Sequence, residues 1–394
     1  NGILEKNQKN GIKLLRQIIF PNRKSEEWKS TNVRRLEKIL NYDHSSNSNK
    51  KRIEEVNYHL PKECNGSIRI ILDGINNNFE NINFPDGINT LSLEEIQKYI
   101  AKPYNSDLNN DWLSAVNDAT ANIILALKVT ALNKTGIEIV IPDKAKFLNS
   151  SKILIIVEES AKLDLLQVFL GSSNGAHSNI TDIYLDKKSD VNHGVIAKGN
   201  EEGIILARLK IIQKEKSKYS LKHIQEGWLL SRLEPEIIQL NGNAETELKG
   251  IHYSYKKEEL STHSKVIFKG PNGVLNQLQK SIADNHSHSI FNGLIEVPKI
   301  AQRTKASQMS KNILLSNHAQ IDTKPELQII ADDVKCNHGA TISFLQPEEL
   351  FYLQSRGLKS EQAANLLLEG YCKEITDILP LNSIRWKYLD KIIK

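Results

Sequence analysis

The rhythm of apolar and polar positions changes twice along the chain. Up to about residue 130 it is mixed but helix-rich. Ile12, Leu15 and Ile19 lie three and four apart, with Leu14 and Ile18 beside them, and Pro21 ends the pattern. Ser25 before Glu26 and Glu27 predicts a helix start with acids near the positive end of the dipole, and Val33, Leu36 and Leu40 continue the face. Residues 67–72 read as a short β-run closed by Asp73-Gly74. A second turn, Pro85-Asp86-Gly87, leads to Ser92, and Glu95 three residues on predicts a capping box for a helix through Ile100.

Between 131 and 345 short β-rich runs recur, at 137–141, 152–157, 163–170, 180–185, 204–212, 236–240, 245–252 and 264–268. Gly, Asn, Asp and Ser turns separate them. Helical periodicity is almost absent, which counts against an alternating βα architecture. Runs about ten residues apart fit a sandwich, a barrel or a β-solenoid. The spacing leaves the three open, although about 200 residues is large for one sandwich and a solenoid grows freely.

From 346 the pattern turns helical. Pro347, Glu348 and Glu349 open a helix, Leu350 and Leu353 share a face, and Gly357 stops it after Arg356. Ser360 starts the next, with Ala363, Leu367, Tyr371, Ile375 and Leu379 at four-residue spacing and Pro380 beyond. Leu366 and Leu368 flank that stripe. The hairpin either packs on its own β-domain or offers part of itself to a partner protein. The expected organisation is a helix-rich head (1–130), a β-core (131–345) and a helical tail (346–394).

Composition narrows the function. The 394 residues carry a net charge of +5, too weak for a dedicated nucleic-acid binder. Three scattered cysteines, Cys64, Cys336 and Cys372, argue against a disulfide framework and favour a reducing compartment. Without a CxxC pair, the chain alone offers no all-cysteine zinc or Fe–S site. No apolar run approaches the ~20 residues that span a bilayer, so no membrane partner is expected. The N-terminus has no apolar signal core and carries Glu5, so no secretory or plastid leader is expected there, and the absence of an initiator Met leaves the true start open.

P-loop, GxGxxG, HExxH and GxSxG motifs are all absent. Three clusters remain. In Val334-Lys335-Cys336-Asn337-His338-Gly339-Ala340, strand alternation puts Cys336 and His338 on one side. A thiolate with an imidazole suits iron or zinc, but two ligands leave a four-coordinate site incomplete, so a second chain is the economical source of the rest. The residues alone leave a buried Cys with a hydrogen-bonded His as the alternative. His286-Ser287-His288 reads as a loop. Asp332-Asp333 could do acid/base work, as in β-helix carbohydrate-active enzymes, or be a solvated turn pair.

The stretches Phe291-Asn292-Gly293-Leu294-Ile295, 301–308, 312–316, 322–327, 331–341 and Phe351-Tyr352-Leu353-Gln354-Ser355-Arg356-Gly357 resemble, in order and spacing over about 291–380, SufD-type members of the SufB/SufD family. These are subunits of the SUF iron–sulfur cluster assembly machinery. Pro21-Asn22-Arg23-Lys24-Ser25-Glu26-Glu27-Trp28-Lys29 is similar to the P-x-R-x-x-E-x-W-K segment of SufD-type chains, and 68–100 to the segment after it. Ser30 stands where such chains often have Tyr. The SufB-type sister usually reads H-E-A where this chain has His338-Gly339-Ala340.

The resemblance implies a mainly β fold, a right-handed parallel β-helix flanked by N- and C-terminal helical domains. It implies a scaffold rather than an enzyme, with the ATPase in a SufC partner. It implies pairing with SufB through the last strands (Val334, Cys336, His338, Thr341), or with a second copy where SufB is absent. It places SufC on the C-terminal helices (Phe351, Tyr352, Arg356, Gly357, Leu367, Tyr371). His338, and more weakly Cys336, would hold a transient Fe–S cluster or iron shared with SufB. It allows a reduced flavin in the complex, with no cofactor stably bound by the lone chain. A bacterial cytoplasm is expected ahead of a plastid stroma. The alternatives are a carbohydrate-active β-helix and a purely structural SUF subunit.

Overall fold

The computed structural model describes residues 2–44, 60–74, 82–100 and 111–392. Two nine-stranded sheets, stacked face to face, form a β-solenoid. From Ile123 on the chain alternates between the sheets, so each strand pairs in parallel with the strand two places on, and Ser67–Ile71 adds in parallel to Gly136–Pro142. One interior column runs Leu163, Val191, Tyr219, Thr246, Leu275, Ala306, Cys336 in continuous register. The antiparallel exception among the described strands is Ile88–Thr90 against Ile123–Val129. Ser67–Ile71 and Ile123–Val129 join the two sheets from before residue 131. Residues 75–81, part of the second N-terminal stretch of resemblance, lie outside the described residues.

The strands are longer than their apolar runs. The run 236–240 is the end of Leu230–Gln239, and 264–268 the end of Glu259–Phe268. Asp190–Lys198, Lys218–Glu226 and Val274–Ala283 gave no run at all. Their inward positions hold His193, His223, Gln277 and Gln279, which the rungs above and below keep buried. One corner repeats as a ladder: Ser160, Lys188, Asn272 and Arg303 take positive φ. Each donates its N–H to the carbonyl of a residue one turn on: Lys187, Glu215, Gln302 and Asp333.

Head and tail cover opposite outer faces. Trp28, Leu36, Ile39, Trp112 and Leu113 pack on Leu148, Ile204, Leu206 and Leu230 of the second sheet. The Arg232 guanidinium sits 3.9 Å over the Trp28 ring and donates to the Glu27 carbonyl oxygen at 3.1 Å. Burial alone would raise the Glu234 carboxyl, but Arg208 and Arg232 outweigh it and hold it below the usual range. On the first sheet, Leu368, Cys372, Ile375, Leu379, Trp386 and Tyr388 cover Val168, Ile196, Ile224 and Ile251.

Several helical expectations need correction. The first helix, Gly2–Leu15, stops before Ile19, which is exposed. Ser25 makes no side-chain cap, and the expected continuous helix is a 3-10 turn (Glu26–Trp28), one α-turn (Val33–Leu36) and another 3-10 turn (Glu37–Asn41). Ile39 rather than Leu40 is buried there. The capping box forms: Ser92 N donates to Glu95 Oε2 at 2.9 Å and Glu95 N to Ser92 Oγ at 3.3 Å. The helix Pro347–Ser355 stands as read, with left-handed Gly357 after it, whereas the second, Ser360–Thr376, stops short of Leu379 and Pro380. Ala363 and Ile375 of the expected stripe are buried, together with Leu368 and Cys372; Leu367 and Tyr371 are half-buried.

Candidate functional site

The last two strands, Gln320–Ile329 and Lys335–Phe344, end the two sheets side by side. Nothing among the described residues pairs with their outer edges. A free parallel edge is a template for another strand, and a long uncovered one is a liability in a protein that works alone. The surroundings are apolar as well: Ile330 is 69% exposed, and Ile329, Ile342 and Phe344 are open too.

On Lys335–Phe344 the even residues face the solenoid interior. Cys336 stacks on Ala306, and His338 on Gln308, in the parallel register. Cys336 is half-buried against the apolar core, and that burial pushes its thiol up. It therefore enters any site as a thiol that must lose its proton. His338 is exposed because no rung lies above it. Across the interior, Thr323 Oγ1 donates to Ser310 Oγ at 2.9 Å, which closes the last turn. Cys336 and His338 thus share one face at an open end, as strand alternation predicted. Among the described residues no group of three or more His, Cys, Asp or Glu could hold a metal.

The other sequence candidates lie elsewhere. Val334 packs half-buried on the interior core. Thr341 faces out and its carbonyl accepts from Asn312 Nδ2 at 2.9 Å. His288, expected in a loop, begins the strand His288–Val297 because it pairs with Gln320 of the next rung. Its Nε2 donates to Asp322 Oδ2 at 2.9 Å on the outer face. His286 stacks on His318 with ring centres 4.8 Å apart, away from His338's interior face. Asp332 and Asp333 form an exposed bend, with the Asp333 N–H on Gln302 Oε1 at 2.9 Å.

On the tail, Phe351 (72% exposed) and Tyr352 project from a helix with no buried residue, beside exposed Arg356 and Gly357 and, on the next helix, Leu366. Tyr371 is engaged with its own solenoid: its hydroxyl donates to the Lys311 carbonyl, and Lys280 lies 4.5 Å over its ring. Sequence reasoning missed the apolar rim of Ile329, Ile330, Ile342 and Phe344. Ile329, Ile342 and Phe344 continue interior columns and Ile330 follows at the corner, so their exposure has meaning only once these strands are known to be last.

Comparison with known proteins agrees with this geometry. The family model for the SUF system FeS cluster assembly SufBD core domain matches residues 140–371, more than half of the chain. An iron–sulfur cluster assembly SufBD family protein of Synechocystis is 38% identical over 206 residues, 52% of this chain and 46% of that protein. The chloroplastic protein ABCI7 of Arabidopsis thaliana is 35% identical over 210 residues, 52% of this chain and 44% of that protein. The iron–sulfur cluster assembly protein SufD of Escherichia coli is 34% identical over 157 residues, 39% of this chain and 37% of that protein. The matches thus span less than half the length of these relatives. No described helix is long and apolar enough to cross a membrane. The chain belongs to the SufBD core family of the SUF iron–sulfur cluster assembly system.

Proposed function

We propose that this chain is a SufD-type scaffold subunit that assembles nascent iron–sulfur clusters without catalysing a reaction of its own. Its terminal strands pair edge to edge with those of SufB, and its exposed tail helix, through Phe351 and Tyr352, binds the SufC ATPase. The observation that carries this reading is the unfinished last turn. Cys336 and His338 face inward on a rung with nothing above it, beside two free strand edges. A homologous end set against it would satisfy the edges and bring further ligands over His338. An imidazole, with at most one neighbouring thiolate, holds iron less firmly than a full thiolate set, which suits a cluster that must be handed on. Movement of the ATPase, carried through the helical hairpin, would open the shared cleft.

The test is co-purification with SufB and SufC, followed by anaerobic reconstitution. With His338→Ala the complex assembles and cluster yield falls about tenfold or more, the size of effect that ligand-shell changes produce; with Cys336→Ser it falls less. Undiminished yield from an intact His338→Ala complex would leave a purely structural subunit. Family membership favours assembly over carbohydrate cleavage, and polysaccharide degradation by the lone chain would reverse that preference.

A further inference from the structure

Beneath His338 in the ladder lies Gln308, wholly buried. Its amide is oriented from below. Gln308 Nε2 donates to Gln277 Oε1 at 2.9 Å, and Gln277 Nε2 donates to Ser264 Oγ at 2.7 Å. Each amide uses an N–H on the interior beneath it, so Gln308 Oε1 takes no part in that chain. That oxygen is buried and has no hydrogen-bond partner, as is true of several interior amides, but Gln308 is the one directly beneath His338. Room for the amide is kept by Gly293 on the facing sheet, where a Cβ would come within 2.3 Å of Gln308 Nε2. Neighbouring strands lie about 4.8 Å apart, so an imidazole one rung up reaches this oxygen by a change of rotamer.

We infer that Gln308 is a positioning residue for His338. When a partner covers the open end, the ring turns inward and donates one N–H to Gln308 Oε1. This fixes the tautomer and leaves the lone pair of the other ring nitrogen directed at the cargo iron. A ligating histidine whose second nitrogen is held in this way is better oriented and more basic. The inference rests on the reading of His338 as a ligand, but it concerns a hydrogen bond that exists before any cluster arrives.

The test is solid-state nitrogen NMR on the cluster-free complex, with isotope-labelled histidine in this chain alone. The His338 signals are assigned by their loss in His338→Asn. The wild type should show one pyrrole-type and one pyridine-type nitrogen, a single tautomer. Gln308→Met, unbranched and of similar size, should give both tautomers or the opposite one, while Gln308→Glu keeps the acceptor and the wild-type pattern. Should Gln308→Met fail to fold, Gln277→Met frees the Gln308 amide to rotate and should blur the tautomer likewise. A tautomer mixture in the wild type, or the same single tautomer in Gln308→Met, overturns the inference. Because this readout precedes loading, its failure leaves the yield test of His338 intact, and a null yield test leaves the hydrogen bond standing.

Discussion

A glycine can be fixed by what it leaves room for. At Gly293 a Cβ would meet the Gln308 amide at 2.3 Å and the Phe291 ring at 2.7 Å, whereas Gly370, in the helix Ser360–Thr376, has nothing within 4 Å. Gly293→Ala should therefore destabilise by about 1–3 kcal/mol, the cost of overpacking. Gly370→Ala should stabilise by about 0.5–1 kcal/mol through helix propensity. Chemical denaturation of the two variants checks both; equal effects would show that the interior yields around Gln308. At this scale the site was half legible. Cys336 and His338 could be put on one side because alternation along a strand is local. Gln308, thirty residues upstream, could not be linked to His338, because only the register of two strands stacks one on the other.

Elements that bury apolar surface and elements that display it answer differently to truncation. Leu368 is buried against the first sheet, while Phe351 stands 72% exposed on the preceding helix. Leu368→Ala should cost about 2–5 kcal/mol in thermal or chemical unfolding. Phe351→Ala should leave the unfolding midpoint unchanged and weaken SufC binding, measured by calorimetric titration. A large loss of stability from Phe351→Ala would place that helix in the protein's own core. Helix positions were legible from Pro347, Gly357 and the acidic first turn, all local signals. The buried stripe was legible at Ala363 and Ile375 but not between them, where strict four-residue spacing drifts around a 3.6-residue helix and Leu368 and Cys372 take the place of Leu367 and Tyr371. The observed Leu368, Cys372 and Ile375, four and three apart, stay on one face, and Leu379 joins the same cluster from beyond the helix end.

The whole solenoid is a stack whose interior becomes polar toward the middle, and its stability should follow pH accordingly. Burial holds His193 and His223 at about 3, and His177, His252 and His263 below their ordinary range. These rings fold neutral, so the unfolded chain binds more protons once pH falls below about 6.5. Their contribution is complete above that pH and is lost as pH falls toward the folded values. At pH 5 each of His193 and His223 costs about 2 kcal/mol. Glu226 and Glu258, pushed up to about 6 and about 7 by burial, act in the opposite sense over part of this range. Burial raises Glu27, Asp182, Glu236 and Glu259 as well, so six carboxyl groups oppose the five imidazoles. The histidine contribution is read by difference: His193→Gln should lose about 2 kcal/mol less stability than the parent between pH 7 and pH 5, and an unchanged pH profile would contradict a neutral His193. Those same histidines and glutamines hid strands from the sequence pattern. The all-β middle was legible from its apolar runs, but a solenoid could be told from a sandwich only through the resemblance.

The central claim is that this molecule ends in half of a shared cluster site. It is tested most directly by electron–nuclear double resonance on the reduced, cluster-loaded complex, with nitrogen-15 histidine in this chain alone. The account predicts one nitrogen-15 hyperfine coupling that disappears in His338→Ala. A full complement of cluster with no coupling from this chain would contradict it.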